Sequence, residues 1–226
     1  AMATGTTVAT DFPHRELSEE IANGVTHGIG TVLSVCALVV LASYATLFGS
    51  ALHVVTCSVF GATLILAYAA STLYHSIHKP QLKGLLRLLD HSAIFLLIAG
   101  TYTPFTLVSL RGPWGWTIFG LVWGLALVGI LVQITVLHRW TAASLTLYVA
   151  MGWIAVIAVE PILQAVPAGA LVLLLLGGLS YTGGVAFFVN QRLPYNHAIW
   201  HMFVLAGSIF HFFAILLYVV PTTAVG

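Results

Sequence analysis

His197 and His201 stand four residues apart in the segment Asn196-His197-Ala198-Ile199-Trp200-His201, and Ser71 and His75 repeat that spacing earlier in the chain. Residues four apart on a helix share one face, so the later pair of imidazoles forms a ready metal-binding face. A histidine pair in an apolar helix serves equally well as hydrogen-bonded packing or as an axial haem arrangement. Which chemistry it performs depends on the other polar groups that can reach it.

The elements that carry these residues follow from the distribution of charge. The chain has 226 residues, 60% of them hydrophobic and 6% charged, with a mean hydropathy of +1.04. That is the composition of an integral membrane protein and of no ordinary soluble domain. Asp11, Arg15, Glu16, Glu19 and Glu20 precede the first apolar stretch, and the next charge is Lys79. About 20 apolar residues cross a bilayer, so the charge-free run 21–78 holds two spans, divided near Gly49-Ser50. Residues 91–110, 112–138, 140–159, 161–191 and 193–226 are each long enough for one more. The expected fold is all-α: a polytopic seven-helix bundle forming a single transmembrane domain over residues 18–226, behind a mobile tail of residues 1–17. Ser18 followed by two acids suits the first helix start. That apolar stretch is too long for the core of a signal peptide. Cys36 and Cys57 lie inside the first two spans and read as small buried hydrophobes. A net charge of +1 leaves no basic patch to neutralise phosphates, which excludes nucleic acid as a partner.

Seven spans with short loops place the amino terminus and loops 2-3, 4-5 and 6-7 on one side. Arg15, Lys79, Lys83, Arg87, Arg139 and Arg192 fall there, and only Arg111 lies opposite. The positive-inside rule makes that side cytoplasmic, with the carboxyl terminus extracytoplasmic.

Alternating helix directions then convert chain position into depth, at about 1.5 Å per residue. His75 closes span 2 just before Lys79, Asp90 opens span 3 three residues after Arg87, and His197 and His201 open span 7 just after Arg192. All four belong to the cytoplasmic leaflet, with Ser71 one turn deeper than His75 on the same face. Three helices thus bring three imidazoles, a carboxylate and a hydroxyl to one depth. Three histidines with an open fourth position describe a catalytic zinc centre better than a closed structural one, with Asp90 beside the metal or as a fourth ligand. A carboxylate deep in a membrane helix costs about 2.5 to 3.5 kcal/mol on insertion scales, so Asp90 needs a partner or an aqueous cavity. From these residues alone, the alternative stands level: Asp90 capping helix 3, the histidines bonding neighbouring helices.

Ser71-Thr72-Leu73-Tyr74-His75-Ser76, Leu89-Asp90-His91-Ser92-Ala93-Ile94, Ala99-Gly100-Thr101-Tyr102-Thr103-Pro104 and the terminal His-x-x-x-His resemble the hemolysin III family, the bacterial branch of the progestin and adipoQ receptor superfamily. Glu19-Glu20-Ile21-Ala22-Asn23-Gly24-Val25-Thr26-His27 resembles its amino-terminal motif, and the likeness runs from about residue 16 to 218. The resemblance implies a seven-helix bundle with an inner amino terminus in the bacterial cytoplasmic membrane. It also implies zinc held by His75, His197 and His201, with Ser71 and Asp90 near a metal-bound water. Through the related alkaline ceramidases it implies metal-dependent hydrolysis of lipid amides, such as a ceramide-like or fatty-acyl amide substrate, in membrane fluidity and energetics homeostasis. Asp90 would take the water's proton and Ser71 would fix the water or the developing oxyanion. The family name refers to haemolysis, but no amphipathic or toxin-like segment is visible.

Other polar positions have narrower readings. Glu19, Asn23 and His27 share one stripe on span 1 and either line an entrance to the zinc or pack between helices. His91 points about 100° away from Asp90 and belongs to packing, as does His211, a satisfied interhelical histidine about 15 Å beyond His201. His53 falls near the outer end of span 2; His14, His78 and His138 read as interfacial. Pro104 should bend span 3, Glu160-Pro161 should end span 5, and Trp114, Trp116 and Trp140 read as interface anchors. A bis-histidine haem protein is disfavoured because His197 and His201 share one helix. A transporter expects polar groups continuing outward, where the sequence offers Glu160 and a few hydroxyls. A receptor or sensor with a structural zinc shares every feature of the hydrolase reading. The charge asymmetry predicts that alkaline phosphatase fused after residue 226 is exported and active, whereas the same enzyme fused in loop 2-3 is inactive; the reverse pattern would invert the topology.

Overall fold

The structure, a computed structural model, describes residues 12–135 and 141–223. Residues 1–11 of the expected tail, and His138, Arg139 and Trp140, lie outside the described residues. Among those described there are helices and short connections and no strand. Seven helices are long and apolar enough to cross a membrane. They are built on α1 (Phe12–Phe48), α2 (Ala51–Ser76), α3 (Pro80–Pro104), α4 (Gly112–Thr135), α5 (Thr141–Gly152), α6 (Ala168–Val189) and α7 (Asn196–Ala214), with the third span running on to Leu110, the fifth to Ala165 and the seventh to Val219. In hydrocarbon no water can satisfy a backbone amide, so a helix that bonds its own N–H groups is the form these runs must take.

Several boundaries differ from the sequence expectation. The first helix begins at Phe12 and not near Ser18, so Glu19 and Glu20 ride on it instead of preceding it. Pro13 occupies its second position, where a missing N–H costs nothing. Likewise α3 begins at Pro80 and carries Lys83 and Arg87 within it, so Asp90 lies in its third turn and does not cap it. Long basic side chains near a helix end can send their charge back to the interface, which is why charge punctuation placed the helix start too late.

Three helices change pitch in the half of the bundle remote from His75. After Pro104, α3 continues as a π-helix over Phe105–Leu110, reaching a turn in which Arg111 and Gly112 have φ of 45° and 61°. Past Ala214, α7 takes the same form over Ile215–Val219. Beyond Gly152, α5 passes through a 3-10 segment, Ile154–Ala158, into a short helix, Val159–Ala165. Glu160-Pro161 therefore does not end the span, because Pro161 falls in the first turn of a restarted helix. The break in α5 frees backbone groups, and Tyr102 of α3 takes them up. Its hydroxyl donates to Gly152 O at 2.6 Å and accepts from Ala155 N at 3.0 Å.

The helices close into a ring in which α1 packs on α2 and α7, α3 on α2 and α4, and α6 on α7, while α5 touches α3, α4 and α6. One apolar cluster, including Leu41, Phe60, Leu97 and Ile215, joins α1, α2, α3 and the end of α7. A second, including Phe95, Ile118, Val122 and Met151, joins α3, α4 and α5. Gly100 lets α3 approach α2 so closely that a methyl group there would overlap Thr63. Trp114 and Trp116 are exposed at the start of α4, as interface anchors require. Replacing Tyr102 by Phe strips partners from two backbone groups of a membrane-spanning segment, where no water replaces them, and should cost about 1 to 3 kcal/mol, read as a lowered unfolding temperature in detergent; an unchanged transition would show the break to be satisfied otherwise.

Candidate metal centre

The last turn of α2, the third turn of α3, the first turns of α7 and the early turns of α1 meet at one end of the bundle. Ser71, His75, Asp90 and His201 are buried there, each 8% exposed or less, and His197 is half-buried beside them. One ring nitrogen from each of His75, His197 and His201 can be chosen so that all three lie within 4.8 Å of one another. The ring of His197 stands 4.9 Å from that of His75 and 4.5 Å from that of His201.

Surrounding groups decide which nitrogens face inward. His75 Nδ1 donates to Glu20 Oε1 at 3.1 Å, and its Nε2 is buried with no partner. A neutral imidazole that donates from one nitrogen holds a lone pair on the other, so Nε2 is the atom free to take a metal. Lys83 Nζ holds the second oxygen of Glu20 at 3.1 Å, donates to the Tyr74 carbonyl and lies 4.4 Å over the Tyr74 ring. This chain of contacts, running α3 to α1 to α2, fixes one ligand. Thr26 does the same for another. Its hydroxyl proton suits the Ala22 carbonyl at 2.9 Å, so its oxygen can accept from His201 Nδ1 at 3.1 Å, again leaving Nε2 free. Converging neutral imidazole lone pairs without hydrogen-bond donors are what a borderline dication such as zinc takes as ligands. The residues fit the metal.

Asp90 stands outside the group of three and borders the same cavity as Ser71, His197 and His201. Ser71 Oγ is buried and lies within reach of the Asp90 carboxyl. His91 does not join the three histidines; its Nδ1 lies 3.4 Å from Gln133 Nε2, although the residue also borders the cavity. The stripe on α1 divides. Glu19 Oε1 accepts from Tyr195 N at 3.2 Å and helps hold the residue before α7, whose φ of 57° is left-handed. Asn23 and His27 face the site instead. The His27 ring stacks on His201 with centroids 3.4 Å apart, and neither of its nitrogens has a partner.

Sequence reasoning missed Glu20 as a partner of His75. The signal was present: Glu20, Asn23 and His27 are spaced three and four apart and share one helical face. His211, read as a satisfied interhelical histidine, does engage the Leu174 backbone of α6, but its Nδ1 is buried without a partner.

From this centre a cavity of about 240 Å³ runs between α3, α5, α6 and α7. His27, Ser71, Asp90, His197 and His201 border it at one end, and Tyr102, Trp153, Tyr181 and His211 border it farther along those helices. Between them the walls are apolar, including Ile94, Leu97, Leu145 and Val149. A polar pole opening into an apolar chamber suits a lipid head attached to its chain.

Comparison with known proteins supplies the lineage. The family described as Haemolysin-III related matches residues 15–212. Hemolysin-3 of Bacillus cereus is 49% identical, covering 92% of this chain and 95% of its own. The hemolysin-3 homolog of Bacillus subtilis (strain 168) is 46% identical over 90% of this chain and 96% of its own. Human monocyte to macrophage differentiation factor is 27% identical, over 88% and 84%. No solved structure matches significantly. A family match over most of the chain and close relatives covering nearly all of it agree: this integral membrane protein belongs to the Haemolysin-III related family.

Proposed function

We propose that this is a zinc-dependent hydrolase of lipid amide bonds, working inside a bacterial cytoplasmic membrane in the upkeep of its lipids. The observation that carries this reading is the convergence of His75, His197 and His201 at the mouth of a lipid-compatible cavity that Asp90 and Ser71 also border. Zinc, when bound by the three histidines, supplies Lewis acidity toward a carbonyl oxygen and a water. Everything else is done by the chain. Glu20 and Thr26 hold the rings of His75 and His201 in the required tautomers. Asp90 takes a proton from the attacking water and returns it to the leaving amine, so that water adds across the C–N bond to give a fatty acid and an amine. Ser71, which reaches Asp90 when no substrate is bound, donates to the oxygen on which charge develops. The apolar walls hold the acyl chain and keep bulk water away.

Zinc measured by mass spectrometry on purified protein should be near stoichiometric in the wild type and lost in His197→Ala, which should also abolish turnover of a fluorogenic fatty-acyl amide. Unchanged turnover would exclude this site. Asp90→Asn should keep the metal and lose about a hundred- to ten-thousand-fold in kcat; a variant that kept both would leave zinc a structural role, as in a receptor. Glu20→Ala should weaken zinc affinity by about 10- to 100-fold, measured by chelator competition, while leaving the helical circular dichroism intact.

A further inference from the structure

Deep in the bundle, at the level where α7 carries Ser208 and His211, a second polar cluster borders the same cavity. Tyr68 of α2 and Tyr181 of α6 both bond Ser208 Oγ, at 2.7 Å and 2.9 Å. Three hydroxyls bring three protons and these bonds use two. The third is left over whichever way the chain of bonds runs, and no carbonyl or carboxylate among the described residues takes it. Tyr68 and Tyr181 line the cavity, and rotation of the three hydroxyls can put the spare proton on either phenol at its wall.

Beside it stands an unused acceptor. His211 lines the cavity and stacks against Tyr181, with centroids 5.5 Å apart. Its ring engages the Leu174 backbone, and a neutral imidazole that donates from one nitrogen keeps a lone pair on the other; Nδ1 is buried without a hydrogen-bond partner. Gly177 makes room for the ring, since a methyl group there would lie 2.6 Å from it. Nearby polar groups have no such surplus. Trp153 Nε1 donates to Thr182 Oγ1 at 3.0 Å, and Thr182 gives its own proton to Gly178 O at 2.8 Å.

A buried donor and a buried acceptor left unused side by side each cost free energy that a ligand group able to accept from one and donate to the other would recover. A hydroxyl does both. We propose that Tyr68, Tyr181, Ser208 and His211 form a second subsite on the cavity wall that recognises a hydroxyl in the middle of a lipid chain whose head lies at the histidine centre. Ser208 and His211 are seven and ten residues beyond His201 on α7, or roughly 10 to 15 Å deeper, which fits a mid-chain position. This inference rests on the reading of the cavity as a lipid site.

Displacement of tritiated stearic acid from the purified full-length protein tests it, with unlabelled stearic acid and a series of hydroxystearic acids whose hydroxyl is walked from head to tail. A mid-chain hydroxyl should lower the half-displacing concentration about five-fold or more relative to stearic acid, and a hydroxyl near either end should not. Tyr181→Phe and, separately, His211→Leu should each bring that ratio to within about two-fold of unity. If all the acids compete equally in the wild type, or the preference survives both substitutions, the subsite is wrong and the lipid cavity stands. If no fatty acid binds at all, the lipid reading falls and the subsite with it.

Discussion

A polar group inside hydrocarbon must find its partner within the protein, because no water is there to supply one. Most of this bundle follows from that constraint. It turns every apolar run into a helix, and it sends the Tyr102 hydroxyl to the two backbone groups exposed by the break in α5. It also makes the exceptions informative. Apart from His53, buried side-chain atoms left without partners among the described residues gather around the three-histidine centre, in Asn23, His27 and His75, and farther along the cavity in His211. An apolar bundle that had no use for such groups would be more stable without them.

Around the centre, support is layered. The three imidazoles come from two helices, yet the groups that orient them come mainly from α1. Glu20 fixes His75, Thr26 fixes His201, and Ser18 and Glu19 receive hydrogen bonds from Tyr195, the residue on which α7 begins. A long first helix that exposes much of its surface to lipid would be dispensable as packing. Here it is the frame against which the ligands of α2 and α7 are aligned.

The sequence made the seven spans legible because charge is so costly in a bilayer that thirteen charged residues mark out the chain. His75, Asp90, His197 and His201 were legible because alternating helix direction turns position into depth. Less legible was whatever depended on side-chain reach. Lys83 and Arg87 read as belonging to a loop because a formal charge does not disclose that a long stem can return it to the interface. Glu20 was hidden by its neighbour, since two adjacent acids differ only in the direction they point around the helix. His27 stayed between two readings for the same reason. The pairing of Tyr68 and Tyr181 through Ser208 joins three helices far apart in sequence, and no local pattern announces such a contact.

That reliance on α1 and α7 together has a consequence for the making of the protein. Helices enter the membrane in order as the chain is synthesised, so α1, α2 and α3 are in place while α7 is still unmade. During that interval Glu20, Ser71, His75 and Asp90 already face one another, but two of the three ligands do not yet exist. The nascent bundle is therefore a half-site: polar, open on the side where α7 will dock, and short of the three-histidine set that could hold an ion. Arrival of the last helix brings His197 and His201 to His75 at the same time as it closes the ring.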